Sequence, residues 1–243
     1  MSNVDAQELA RFDNVAARWW DMDGPFRPLH ELNPQRLAFI AQRQPLAGAR
    51  IVDIGCGGGI MSEALARAGA DVVALDLAPE ALDVARLHAL EAGVSVDYRL
   101  QSAEDLAAAM PGQFDAVSCL EMLEHVPDPV SVLRRLRSQL ADDGHLVVSI
   151  PNIANWTVRL QMLFGRFRYT DRGILDRTHL RFYTVATLPE MLADAGFSVV
   201  KLQASVPVPG VTGEALARVA HRVGNLRPGF FGYNLIATCN KGS

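Results

Sequence analysis

Between residues 50 and 150, short apolar runs alternate with segments whose apolar positions recur every three or four residues. The first kind reads as strand and the second as helix. This predicts strands over 50–54, 71–76, 95–99, 114–120 and 144–150, separated by helices over 59–68, 79–92, 103–109 and 129–140. Runs such as Asp71-Val-Val-Ala-Leu75 and His145-Leu-Val-Val-Ser-Ile150 are apolar on both faces, as parallel strands covered by helices are. The alternation specifies a doubly wound, Rossmann-like α/β sheet with helices on both faces and ligands at the carboxyl ends of its strands. Farther along, Thr187 to Ala195 predicts a helix closed by Gly196, Ser198 to Ala204 a strand, and Phe231 to Cys239 a last strand. That last strand follows a long excursion, 205–229, rather than a helix, so it can insert antiparallel. Leu175 to Thr184 is expected to return to the sheet.

Ahead of the sheet, residues 5 to about 43 form a helical preamble in which Phe12, Val15, Ala16, Trp19 and Trp20 recur at helical spacing. Asp21-Met-Asp-Gly-Pro25 breaks it, and Asn33-Pro34 predicts a second helix with Pro34 in its first turn. Adjacent tryptophans on a helix point in different directions, so one of them can pack on the main domain while the other covers a ligand.

Composition narrows the class. The 243 residues suit one domain, with 1–45 as a helical cap and 152–178 and 205–229 as insertions on the substrate side. A net charge of −4 argues against a general nucleic-acid binder. Cys56, Cys119 and Cys239 make no disulfide or metal pattern, which suggests a reducing compartment. No apolar run approaches the roughly 18 residues of a membrane span, and Met-Ser-Asn-Val-Asp-Ala-Gln-Glu lacks the features of a signal peptide. The expectation is a cytoplasmic protein, with peripheral contact at the inner face of the membrane in view.

The densest chemistry lies at Ile51-Val-Asp-Ile-Gly-Cys-Gly-Gly-Gly59. Glycine lets backbone approach a ligand closely, and the helix that follows turns its free N–H groups to the same spot. Asp53, Gly55, Gly57 and Gly59 read Asp-x-Gly-x-Gly-x-Gly, unlike the Gly-x-Gly-x-x-Gly of dinucleotide sites. The pattern resembles the first motif of class I methyltransferases that use S-adenosylmethionine (SAM), with an acid placed to hold the ammonium group directly or through water. Asp76 ends the second strand, 21 positions after Gly55, where a carboxylate can take both ribose hydroxyls, with Leu77 beside it. The same Asp76 could instead cap the next helix. Ser102 and Ala103 stand where methyltransferases contact adenine, and Ser102 is equally an N-cap with Asp105 three residues on.

Strand four runs into Glu121-Met-Leu-Glu-His125. At i, i+3 and i+4 of a helical turn, Glu121, Glu124 and His125 could converge on one point. Alternatively His125 alone could take a proton from the substrate, or the acids could be solvated and the histidine packed. His179, between Thr178 and Leu180, is a second candidate base. Residues 155–169 carry Trp156, Leu160, Leu163, Phe164, Phe167 and Tyr169 among Arg159, Arg166 and Arg168. Such a segment can lie in a membrane interface, pack as a lid on the site, or join two subunits.

Two further stretches carry a specific resemblance. Phe12-Asp-Asn-Val-Ala-Ala-Arg-Trp-Trp-Asp21 leads to Pro28-Leu-His-Glu-Leu-Asn-Pro-Gln-Arg-Leu37, and Glu121-Met-Leu-Glu-His-Val-Pro-Asp-Pro129 follows strand four. With Asp53–Gly59 and His88-Ala-Leu-Glu91 between them, they resemble the ubiquinone-biosynthesis O-methyltransferase family over roughly residues 9–150. After Pro151 the chain departs from that family's pattern, and only Thr178-His179 could correspond to its Gly-Thr-His. The resemblance implies a class I fold with a seven-stranded, mostly parallel sheet whose last strand is antiparallel. It also implies SAM-dependent methylation of a phenolic hydroxyl on a lipophilic polyprenyl catechol or demethylubiquinol. Arg36, Gly55, Asp76 and Leu120 would line the SAM site, and Glu121, Glu124 and His125 would match positions proposed to hold a magnesium ion (Mg2+). The expected step is in-line attack of a phenolic oxygen on the sulfonium methyl group, with either His125 or the metal activating the phenol. A methyltransferase for another small acceptor (glycan, lipid or carboxylate) and a non-catalytic SAM-binding protein are the alternatives.

Overall fold

The computed structural model describes residues 16–206, 219 and 222–242. After a 3-10 turn at Ala16–Arg18 comes α1 (Arg27–Ala41), and then the sheet begins. Its first half is β1 (Arg50–Ile54), α2 (Ile60–Arg67), β2 (Asp71–Asp76), α3 (Pro79–Ala92), β3 (Asp97–Leu100), α4 (Ala103–Ala109) and β4 (Phe114–Leu120). A 3-10 turn at Leu123–His125 leads to α5 (Pro129–Gln139), β5 (Leu140–Pro151), α6 (Trp156–Leu163), α7 (Thr187–Asp194), β6 (Phe197–Ser205) and β7 (Asn234–Lys241). The seven strands order as β3-β2-β1-β4-β5-β7-β6. β1 to β5 pair in parallel, whereas β7 runs antiparallel to both β5 and β6. The antiparallel insertion expected of the last strand is therefore what forms.

Strand side chains alternate between two buried faces, which is why the runs lack a polar face. Val52, Val117 and Leu146 join one core with α4, α5 and α7, including Leu106, Leu133 and Leu192. Ile51, Ala116 and Val147 join the other with α1, α2 and α3, including Phe39, Leu65 and Leu82. Helices on both faces leave only the strand ends open, so the order of strands places any site at the carboxyl ends of β1, β2, β4 and β5.

Several boundaries depart from expectation. The second helix of the preamble begins at Arg27, six residues ahead of Asn33, and Pro28 rather than Pro34 sits in its first turn. Pro34 is interior; burying Leu32, Arg36, Phe39 and Ile40 along one stripe outweighs the one helical bond it cannot donate. Residues 175–184 form no strand; they touch the sheet by one bridge, Asn152 to Tyr183, and otherwise pack over its end. The last strand starts at Asn234, after a turn of helix at Pro228–Phe231. Phe12, Val15 and most of the 205–229 excursion lie outside the described residues.

Candidate active site

The glycine loop joins β1 to α2. Gly55, Gly57 and Gly59 all have left-handed backbones, at φ 69°, 52° and 84°. An L side chain would be strained at each, so the spacing reflects a backbone path. Asp76 fastens that path: its carboxylate accepts from the N–H of Gly57 at 2.7 Å, and from those of Leu77 and Ala78 at 2.7 and 2.9 Å. A carboxylate has about four acceptor positions, so one remains for a ligand. Burial raises the Asp76 carboxyl above its ordinary value, and these N–H bonds oppose the rise. Asp53 lies beneath the loop, takes hydrogen bonds from Ser62 (2.6 Å) and Ser118, and is pushed up to about 6 by burial.

Above the loop sits the preamble. Trp19 stacks on Phe26 at 3.9 Å and lies directly over Gly57 and Gly58. Trp20 donates to the Gly58 carbonyl at 2.9 Å and stacks on His88 at 3.4 Å, and His88 in turn bonds Glu63 at 2.6 Å. One tryptophan thus roofs the loop and the other ties the preamble to α2 and α3. Ser102 caps α4 by accepting from the Asp105 N–H, as its N-cap alternative required, while Ala103 is buried beside it.

A cavity of about 630 Å³ opens on these groups and continues to Leu120, Glu121, Glu124, His125 and His179. That volume is typical of a small-molecule site. Arg36, reaching in from α1, is 4% exposed and pairs with Glu121 at 2.8 Å. Ser149 and Asn234 donate to the same carboxylate, each at 2.7 Å. Glu121 is the one non-glycine described residue with positive φ, at 54°, a strain that surrounding contacts must hold. Those contacts come from α1, β5 and β7, so nothing local in the sequence pointed to Ser149 or Asn234.

Glu121 therefore faces Arg36, not a common point with Glu124 and His125. The groups brought together are Glu124, His125 and His179, each with a ligand atom within 4.8 Å of the others. Neither oxygen of the buried Glu124 meets a hydrogen-bond partner among the described residues. Burial first, and then the charge of Glu121, push its carboxyl well above the usual range. His179 is held below its ordinary value by burial and by His125. The two imidazoles stand edge to face, 4.9 Å apart.

A family model described as a methyltransferase domain matches residues 26–202. The chain is 58% identical over 200 residues to a protein named ubiquinone biosynthesis O-methyltransferase from Xanthomonas euvesicatoria pv. vesicatoria (strain 85-10), covering 82% of this chain and 83% of that one. It is 47% identical over 204 residues to a protein of the same name from Thiobacillus denitrificans (strain ATCC 25259 / T1), covering 83% and 87%. Among solved structures it is similar in fold to magnesium protoporphyrin IX methyltransferase from Synechocystis PCC 6803 with bound SAH. The TM-score there is 0.68 at 21% identity, over 98% of this chain and 100% of that one.

Proposed function

Since this chain belongs to the ubiquinone biosynthesis O-methyltransferase family, we propose that this cavity holds SAM at the glycine-loop end and a lipophilic phenol at the Glu124–His125–His179 end. The protein is a SAM-dependent O-methyltransferase of ubiquinone biosynthesis. The observation that carries the arrangement is continuity: one cavity is lined by Gly55, Gly57 and Asp76 and also by His125 and His179. The unused acceptor position of Asp76 suits a ribose hydroxyl. The Arg36 Nε–H, buried and without a partner among the described residues, suits the SAM carboxylate. A polyprenyl catechol or demethylubiquinol then enters with its hydroxyl toward the histidines. Methyl transfer neutralises a sulfonium and a phenolate, so holding the two reactants in line in a dry site supplies most of the acceleration.

His125 or His179 can take the phenolic proton as a neutral imidazole. The alternative activator is a divalent cation. An orphaned, buried carboxylate beside two imidazoles fits one, and Glu124, His125 and His179 would hold it. Two nitrogen ligands suit manganese, iron, cobalt or zinc better than magnesium, which favours oxygen. When bound, such an ion would lower the pKa of a coordinated hydroxyl. Titration with Mn2+ followed by paramagnetic resonance should show one bound ion in the wild type and none in Glu124→Gln. Equal binding in both would remove this set of ligands.

Membrane contact through 155–169 completes the reading. Leu163 and Phe164 are 77% and 70% exposed at the end of α6, among Arg159, Arg166 and Arg168. No helix among the described residues is long and apolar enough to cross a membrane. The segment leads into Asp171–Gly173 at the cavity mouth, so a polyprenyl chain could stay in lipid while its ring enters. Incubation with labelled SAM and a short-chain polyprenyl catechol should label the ring oxygen and release S-adenosylhomocysteine. Label on a glycan or carboxylate instead, from a lipid extract, would overturn the choice of acceptor.

A further inference from the structure

The segment 174–181 is bound to the turn after β4 as though the two were one element. Leu180 and Arg181 both donate their N–H to the Glu124 carbonyl, at 2.8 and 3.2 Å, and the Arg181 guanidinium donates to the Pro127 carbonyl at 2.7 Å. Asp176 is 7% exposed and is the hub of the segment. Its Oδ1 accepts from the Thr178 N–H at 3.0 Å and from the Thr178 hydroxyl at 2.9 Å. The Thr178 Oγ1 also lies 3.2 Å from Nδ1 of His125.

A threonine hydroxyl has one proton. Here it goes to Asp176, because a carboxylate can only accept; turning it to His125 would set two oxygen lone pairs against each other at 2.9 Å. Toward His125 the same oxygen can then only accept, so Nδ1 of the neutral ring carries the proton and the lone pair is on Nε2. His179 follows the same logic, since its Nδ1 lies 3.1 Å from the Ile174 carbonyl, which cannot donate.

We infer that Asp176 and Thr178 are positioning residues for the methyl transfer, holding His125 in the tautomer protonated on Nδ1 so that its basic nitrogen is Nε2. The inference rests on the methyltransferase reading for its purpose but not for its geometry. It serves a general base and a metal ligand alike, because only the nitrogen with a lone pair can take a phenolic proton or bind a cation. It also assigns work to the Asp-x-Thr-His run at 176–179, a stretch the SAM site does not use.

The test is long-range proton–nitrogen correlation NMR on the full chain labelled at its six histidines, with His125 assigned from the spectrum of His125→Gln. The wild type should show His125 protonated on Nδ1. Thr178→Val removes the acceptor and should mix or reverse the tautomers, while Thr178→Ser should restore them. Asp176→Asn keeps a carbonyl oxygen for both Thr178 contacts and should leave the tautomer as it is, whereas Asp176→Ala, which frees the hydroxyl to donate to His125, should shift the population the same way as Thr178→Val. With the catechol acceptor, Thr178→Val should lower kcat about 10- to 100-fold, Thr178→Ser should recover most of it, and SAM affinity should stay unchanged. A wild-type His125 protonated on Nε2, or a Thr178→Val protein with unaltered tautomer and kcat, would overturn the inference. If the tautomers respond as stated while no phenol is methylated, the positioning stands and the choice of acceptor fails.

Discussion

Gly58 is the one loop glycine whose replacement separates packing from backbone strain. Gly55, Gly57 and Gly59 need left-handed backbones, but Gly58 does not. A Cβ placed on it would fall inside the Trp19 indole, 2.6 Å from Cδ2 and nearer still to Cγ and Cδ1. The ring cannot swing away cheaply: it is 5% exposed, stacked on Phe26, and packed in one cluster with Ile60, Ala78 and Ala81. Expelling an indole that buries about 150–250 Å² would forfeit about 4–6 kcal/mol at roughly 25 cal/mol per Å². Shifting it costs about 1–3 kcal/mol, as overpacked cores do, and the chain takes the cheaper course. Gly58→Ala should therefore lose about 1–3 kcal/mol in urea unfolding and bind SAM more weakly by calorimetry, since Trp19 lines the cavity. The decisive measurement is a cycle with Trp19→Ala. With the ring gone, the new methyl has room, and Gly58→Ala should be neutral or even stabilise by about 0.4–1 kcal/mol through the unfolded chain. Stability effects that add to within about 0.5 kcal/mol would refute the argument, because they would mean that Gly58 matters for some reason other than the roof above it.

Two further outcomes probe regions away from the loop. His145 is buried at the start of the β5–β7 pairing, and burial lowers its pKa to about 4. Its folded value lies below its unfolded value of about 6.5, so the unfolded chain takes up the proton first as pH falls. The resulting stability is fully present above about pH 6.5 and is lost down to about pH 4, a change on the order of 3 kcal/mol. His145→Gln should flatten that part of the urea-midpoint profile, and an unchanged slope between the two proteins would exclude His145 as its source. At the other end of the sheet, Leu163→Glu with Phe164→Glu should abolish co-sedimentation with anionic phospholipid vesicles while leaving turnover of a water-soluble catechol intact. Retained sedimentation would remove α6 as the contact.

The sheet was legible because its signals are local. Two-sided apolar runs such as Val72–Leu75 need only their own residues to declare a covered parallel strand, and the glycine spacing needs only its own backbone. What was not legible depended on partners. Pro34 marked a helix start in isolation, but the stripe Leu32, Arg36, Phe39 and Ile40 carries the helix through it once there is a core to bury against. Residues 175–184 contain enough apolar positions for a strand, yet β7 already occupies the place beside β5. Their backbone groups bond instead to the Glu124 carbonyl and to the backbones of Thr170 and Ile153.

The candidate site divides along the same line. The half proposed for SAM comprises Asp53, the loop and Asp76, all within one β-α-β unit, so spacing alone brings them together. The other half brings Glu124 and His125 together with His179, 55 and 54 positions farther along the chain, and there the i, i+3, i+4 expectation for Glu121, Glu124 and His125 met a physical obstacle. Convergence at those offsets requires a continuous helical turn from Glu121 onward. The 3-10 turn begins only at Leu123, and Glu121 stands before it with φ at 54°. That left-handed residue turns its carboxylate toward Arg36, Ser149 and Asn234, while the turn after it presents Glu124 and His125 to the far side of the cavity. The vacancy that Glu121 leaves is filled by His179, carried in by the segment that Asp176 and Thr178 organise. A buried arginine without Glu121 would be an uncompensated charge, so the pairing secures α1 over the sheet at the same time as it releases Glu124 for other chemistry. The residue that spacing grouped with Glu124 and His125 instead ties α1 to β5 and β7 at the wall of the cavity.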